Sequence, residues 1–114
     1  MYIFKDTMTL CKLLMQYSKN VSKLIRFTEY SVAISKACAA MDLVRRINSS
    51  FEGREEKLKE FILLISEVKS RITLFADAGF IPVKTATNID FVICKVSKEG
   101  YGWLKKERGR KGES

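Results

Sequence analysis

Histidine is missing altogether from the 114 residues. With it go the usual general base at neutral pH, the Ser–His and Cys–His nucleophile pairs, and the commonest metal ligand. Proline occurs once and glycine six times, which excludes collagen-like and low-complexity chains. Cysteine is scarce too: Cys11, Cys38 and Cys94 are far apart and have no C-x-x-C spacing. A zinc site would lack a fourth ligand, so no metal and no other cofactor is expected. Each cysteine sits among apolar neighbours, where a free thiol behaves as a small hydrophobe. No stretch approaches 18 consecutive apolar residues, so no membrane span is expected. The start, Met-Tyr-Ile-Phe-Lys-Asp, lacks the apolar run and cleavage site of a signal peptide. A reduced, cytoplasmic protein is the expectation.

Positive charge is what the chain does have. Twenty-one Lys and Arg face 13 Asp and Glu, a net charge of +8. A small domain so charged attracts polyanions, nucleic acid ahead of an anionic membrane surface. The excess is uneven. Residues 1–27 carry +4 and residues 105–114 carry +3, whereas residues 52–80 carry −1. Lys12, Lys19, Lys23 and Arg26 step by 7, 4 and 3, which places them on one stripe if that segment is a single helix. A phosphate-tracking surface has this form, and so does a solvated helix face. Lys105, Lys106, Arg108, Arg110 and Lys111 form the second candidate cluster. Nothing resembles an RRM sequence or a zinc finger, so any binding should be weakly sequence-specific.

Apolar residues make up 46% of the chain, enough for one core in a chain of single-domain length. Their spacing is helical nearly throughout. Leu10, Leu14, Tyr17, Val21 and Leu24 form one stripe, and Tyr30, Ile34, Ala37, Met41 and Val44 a second. Leu58, Phe61 or Ile62, Ile65, Val68, Ile72 and Phe75 form the third; Ile89, Val92 or Ile93, Val96, Trp103 and Leu104 the fourth. Thr28 is a candidate N-cap, Gly79 a candidate C-cap, and Pro82 fits the first turn of the last helix. Gly100 and Gly102 each weaken that helix by roughly 1 kcal/mol relative to alanine. They are worth keeping only where a backbone or an aromatic ring approaches closely. The map is therefore four helices near 5–26, 29–50, 54–78 and 82–106. Short turns between helices of similar length predict an all-α, up-down-up-down four-helix bundle. Residues 1–107 form the single domain, and residues 108–114 are expected to be a basic disordered tail.

The search for catalysis finds little. Gly100-Tyr101-Gly102 has no strand before it and so is no phosphate loop. The Glu52, Glu55, Glu56 and Glu60 cluster suits the start of a helix rather than acid–base chemistry. The chain reads as a non-enzyme. Phe4, Met8, Cys11 and Met15 form a second apolar stripe beside the first, more than one bundle needs, and so argue for oligomerisation. Trp103 either closes one end of the bundle or anchors another subunit.

Two segments carry a family resemblance. Glu67-Val-Lys-Ser-Arg-Ile-Thr-Leu-Phe-Ala-Asp-Ala-Gly-Phe-Ile81 resembles the third helix and turn of two related bacterial families. One is the accessory variability determinant (Avd) of diversity-generating retroelements; the other is encoded in intervening sequences of 23S ribosomal RNA genes. Gly100-Tyr-Gly-Trp-Leu-Lys-Lys106 is similar to the helix-four ending common in Avd-like proteins. The Ala-Glu-Gly motif usual in the intervening-sequence family is absent from Met41-Asp-Leu-Val-Arg-Arg-Ile-Asn-Ser-Ser50. Pro82 stands where the family usually has serine. The likeness spans most of residues 8–107 and implies a barrel-like homopentamer of four-helix protomers with a basic surface; the extra stripe Phe4, Met8, Cys11 and Met15, with Trp103, is expected to lie between subunits. It further implies a non-catalytic partner of a reverse transcriptase and its template RNA or cDNA, supporting mutagenic cDNA synthesis. The alternative is a structural or regulatory interaction protein of the intervening-sequence kind.

Overall fold

Helices carry the whole architecture. The computed structural model describes the backbone of residues 2–113 and the side chains of residues 2–110. The helices are α1 (Tyr2–Gln16), α2 (Lys23–Arg26), α3 (Glu29–Ser49), α4 (Arg54–Asp77) and α5 (Val83–Glu113), with a 3-10 turn at Tyr17–Asn20. Among the described residues there is no strand. Contacts run from α1 to α3, α3 to α4, α4 to α5, and α5 back to α1.

Cross-links fix the directions. Arg45 lies over Phe4 while Tyr30 bonds Leu14, so α1 and α3 are antiparallel. Lys36–Glu67 and Arg54–Ile47 do the same for α3 and α4. Lys69–Asp90 and Arg108–Glu55 set α4 against α5, and Lys95–Asp6 and Asn88–Tyr17 set α5 against α1. The up-down-up-down arrangement follows, drawn out into a rod of 51 × 19 × 19 Å.

The core is the set of apolar stripes turned inward. Leu10, Leu14, Tyr30, Val44, Leu58, Phe61, Ile65, Val68, Ile72, Ile89, Ile93 and Val96 are all buried. On α3 the inward face includes the small residues Ala33, Ala37 and Ala40, and the Tyr30, Phe61 and Phe75 rings are buried in the same interior. Gly100 belongs to this packing. A Cβ there would sit 3.0 Å from the Phe61 ring, so the helix-weakening glycine is accounted for by an approaching aromatic. Gly102 has nothing within 4 Å of the same position.

At the end of α4, Gly79 takes φ +81, and the amide N–H groups of Phe80 and Gly79 donate to the carbonyls of Phe75 and Ala76 at 2.8 and 3.1 Å. This is a Schellman ending, which satisfies carbonyls the helix would leave open. Pro82 sits just before α5 rather than inside its first turn, its carbonyl accepting from the Ala86 N–H at 3.0 Å.

Two expectations need correcting. The helix anticipated over 5–26 stops at Gln16, tightens into the 3-10 turn, becomes extended at Val21 and restarts as α2. Tertiary bonds hold that break. Ser22 N–H donates to the Phe80 carbonyl at 2.9 Å, Ser22 Oγ accepts from Leu24 N–H at 3.3 Å, and Tyr30 Oη donates to the Leu14 carbonyl at 2.6 Å. The phase shift buries Val21 and Ile25 and leaves Leu24 73% exposed, although Leu24 fell on the expected stripe. Thr28 stands at the start of α3 without capping it, since its hydroxyl donates back to the Ile25 carbonyl. The second correction is at the other terminus. Instead of a disordered tail from residue 108, α5 continues to Glu113. Leu104 packs with Ile47 and Leu58, buried Glu107 pairs with Arg110, Arg108 reaches Glu55, and Arg110 lies over Phe51.

Candidate nucleic-acid interface

The break after α1 changes what the first basic cluster is. Lys12, Lys19 and Lys23 are exposed but belong to α1, the 3-10 turn and α2 in turn, so they do not share one helical stripe. Arg26 is half-buried and committed to structure. Its guanidinium donates to the Val21 carbonyl at 2.9 and 3.3 Å and to the Lys19 carbonyl at 3.1 Å. It therefore leaves the candidate binding set.

The second cluster divides the same way. Lys105 and Lys106 are exposed and form no ion pair among the described residues. Arg108 reaches Glu55 on α4 and Arg110 lies over Phe51 while pairing with Glu107 within α5. The Lys111 side chain lies outside the described residues. The corner near Lys19 and Lys23 meets the turn before α5 through Ser22 and Phe80. Lys105 lies some twenty residues further along α5, roughly 30 Å away at 1.5 Å per residue. The structure does not bring the two clusters together. Lys5, Arg46, Lys84 and Lys98 are also exposed and without an ion pair among the described residues. Isolated cations show no stripe, so sequence reasoning passed over them.

Of the residues expected between subunits, Phe4 and Met8 are half-buried, and Met15 is 52% exposed. Cys11 is the correction: it lies in the chain's own core and offers no face to a neighbour. Burial, with the Cys38 thiol beside it, pushes its thiol up to about 12. Trp103 packs half-buried against the core with the Arg54 guanidinium 5.9 Å from its ring. More exposed apolar side chains lie elsewhere, among them Leu63 and Leu74 on α4 and Val83, Phe91 and Tyr101 on α5.

An open groove of about 410 Å³ runs beside Trp103, lined by Tyr2, Ile3, Glu99, Gly102, Trp103 and Lys106. At its edge Glu99 meets Asp6 across the α1–α5 seam, and Lys95 reaches Asp6 at 3.6 Å. Glu99 Oε1 and Asp6 Oδ2 are both buried without a hydrogen-bond partner among the described residues. Burial, then the neighbouring Asp6, pushes the Glu99 carboxyl up to about 7, with Lys95 opposing. A proton held on this pair supplies the donor that two carboxylates lack.

Of the acids at the start of α4, Glu55 pairs with Lys59 at 3.3 Å and with Arg108 at 3.7 Å. Among the described residues no three His, Cys, Asp or Glu side chains are grouped to hold a metal ion, and no helix is long and apolar enough to cross a membrane. Compared with protein-family models, curated proteins and solved structures, the chain matches none.

Proposed function

We propose that the protein is a non-catalytic accessory protein that holds nucleic acid through a dispersed lysine surface. In line with the resemblance, its partners in this reading are a retroelement reverse transcriptase and the template RNA or cDNA, with assembly as a homopentamer. One observation carries the nucleic-acid part: Lys5, Lys12, Lys19, Lys23, Lys84, Lys98, Lys105 and Lys106 stand exposed around a +8 rod with no acid paired to them among the described residues. Phosphate contacts need positive charge in reach and no particular base.

The test is RNA affinity against salt. Binding of a generic RNA should fall steeply as salt rises, through counterion release. The triple variant Lys12→Gln, Lys19→Gln, Lys23→Gln should bind all sequences more weakly and show a shallower salt slope. Affinity indifferent to salt sinks the reading. A protein-interaction role has one specific feature in its favour, the exposed Leu63, Leu74, Val83, Phe91 and Tyr101 along α4 and α5. Phe91→Asp separates the two, since it should abolish a protein contact made there and leave RNA affinity unchanged.

A further inference from the structure

We propose that Cys11 and Cys38 are a redox-modified pair, which a hydroperoxide oxidises to a disulfide that staples α1 to α3. The inference stands apart from the nucleic-acid reading above.

Packing puts the two sulfurs together. α1 and α3 run antiparallel, with the Arg45 guanidinium 5.5 Å from the centroid of the Phe4 ring. Cys11 is seven residues on from Phe4, and Cys38 is seven residues back from Arg45. Seven residues are close to two turns of helix, so the cysteines return to the same two faces at one level of the seam. Cys11 is 4% exposed in the core, Cys38 is half-buried against the same core, and their thiols interact directly. A disulfide needs such a facing pair, with Cα atoms within about 7 Å and sulfurs able to close to about 2 Å. Cys94 stands apart, exposed on α5 with its thiol donating to Asp90.

The pair divides the chemistry. Cys38 is the thiol that solvent reaches, while burial and the neighbouring Cys38 keep the proton on Cys11. Hydrogen peroxide therefore meets Cys38 first. The O–O bond breaks, one oxygen stays on the Cys38 sulfur as a sulfenic acid, and the other leaves as water. The Cys11 sulfur then attacks the Cys38 sulfur, and the S–O bond breaks. The hydroxyl departs with the Cys11 proton as a second water. Two thiols lose two electrons, and one peroxide takes them up. The bridge closes a loop that contains the corner of residues 17–28, where the helix is interrupted and held by bonds from Tyr30 and Phe80. Closing that loop removes freedom from the unfolded chain.

The test uses the full chain carrying Cys94→Ser, so that only the pair can react. After brief exposure to hydrogen peroxide, free thiols counted under denaturing conditions should vanish. Proteolysis should then yield one pair of peptides joined through Cys11 and Cys38. The thermal midpoint should rise by about 10–15 °C, as expected for a closed loop of about 28 residues, and should return on adding dithiothreitol. Cys38→Ser in the same background should keep its Cys11 thiol, because the buried sulfur is out of the oxidant's reach. Cys11→Ala should instead accumulate a Cys38 that reacts with dimedone. Oxygen retained on Cys38 without the crosslink, or a bridge between two chains, overturns the proposal. So does a bridge that leaves the thermal midpoint unchanged or lowers it, and so does ready oxidation of Cys11 in Cys38→Ser.

Discussion

At the corner of residues 17–28, Arg26 ties the Lys19 and Val21 carbonyls together, and the lysines around it point to water. At the far end of α5, Arg108 and Arg110 tie the helix to Glu55 and Phe51, Arg110 also pairing with Glu107 one turn back in the same helix, and again Lys105 and Lys106 are left to solvent. One region breaks a helix and the other prolongs one, yet both divide their cations alike. Arginine's planar fork matches carbonyls, carboxylates and rings, whereas lysine is a hydrated point charge on a flexible stem. Arg54, over Phe51 and bonded to the Ile47 carbonyl, and Arg71, bonded to the Glu67 carbonyl, follow the same rule, and exposed Arg46 is the exception. The surface left for a partner is therefore mostly lysine, suited to phosphates and poor at reading bases bidentately.

The comparison breaks most visibly at the α5 end. Leu104→Ala should cost about 2–5 kcal/mol in urea unfolding, the usual range for a buried leucine. The amides of residues 105–113 should lose hydrogen-exchange protection with it. If the tail frays while global stability holds, the end of α5 is not part of the cooperative fold. At the corner, Tyr30→Phe leaves the Leu14 carbonyl without its 2.6 Å donor and should cost about 1–3 kcal/mol by the same measurement. Arg26→Gln should cost about 1 kcal/mol, while Lys23→Gln should stay within about 0.5 kcal/mol. Equal costs for those two would remove the arginine–lysine distinction. A further effect, at the seam, depends on pH. Glu99 holds its proton more tightly when folded, so stability should decline as pH rises from about 4.5 to about 7 and then level. Glu99→Gln, facing Asp6, Lys95 and Lys106, should flatten the thermal midpoint between pH 5 and 8 and raise it at pH 8.

Helix identity and bundle class were legible because apolar period dominates: Leu58, Phe61, Ile65, Val68, Ile72 and Phe75 all face inward as their spacing requires. The corner was not legible, since Leu10 to Leu24 keep a helical rhythm while the bonds that break it come from Phe80 and Tyr30, distant in sequence. The α5 extension was hidden for a similar reason. Arg108 and Arg110 look like a solvated tail until Glu55 and Phe51 are beside them. Within the candidate interface, Lys12, Lys19, Lys23, Lys105 and Lys106 are exposed and Arg26 is half-buried, a difference that no pattern in the sequence marked. The groove is lined from both α1 and α5, by Tyr2 and Trp103 among others, which spacing within one helix does not encode.

The rod shape has a consequence in surface. A compact monomer of 13.1 kDa exposes about 6,400 Å² by the usual scaling of area with mass. This chain exposes 6938 Å². The excess, about 500 Å², is more than half of the roughly 800 Å² one partner contributes to a standard interface. Stretching a single bundle to 51 Å thus gives a 114-residue chain contact area that a rounder fold of equal mass would have folded away.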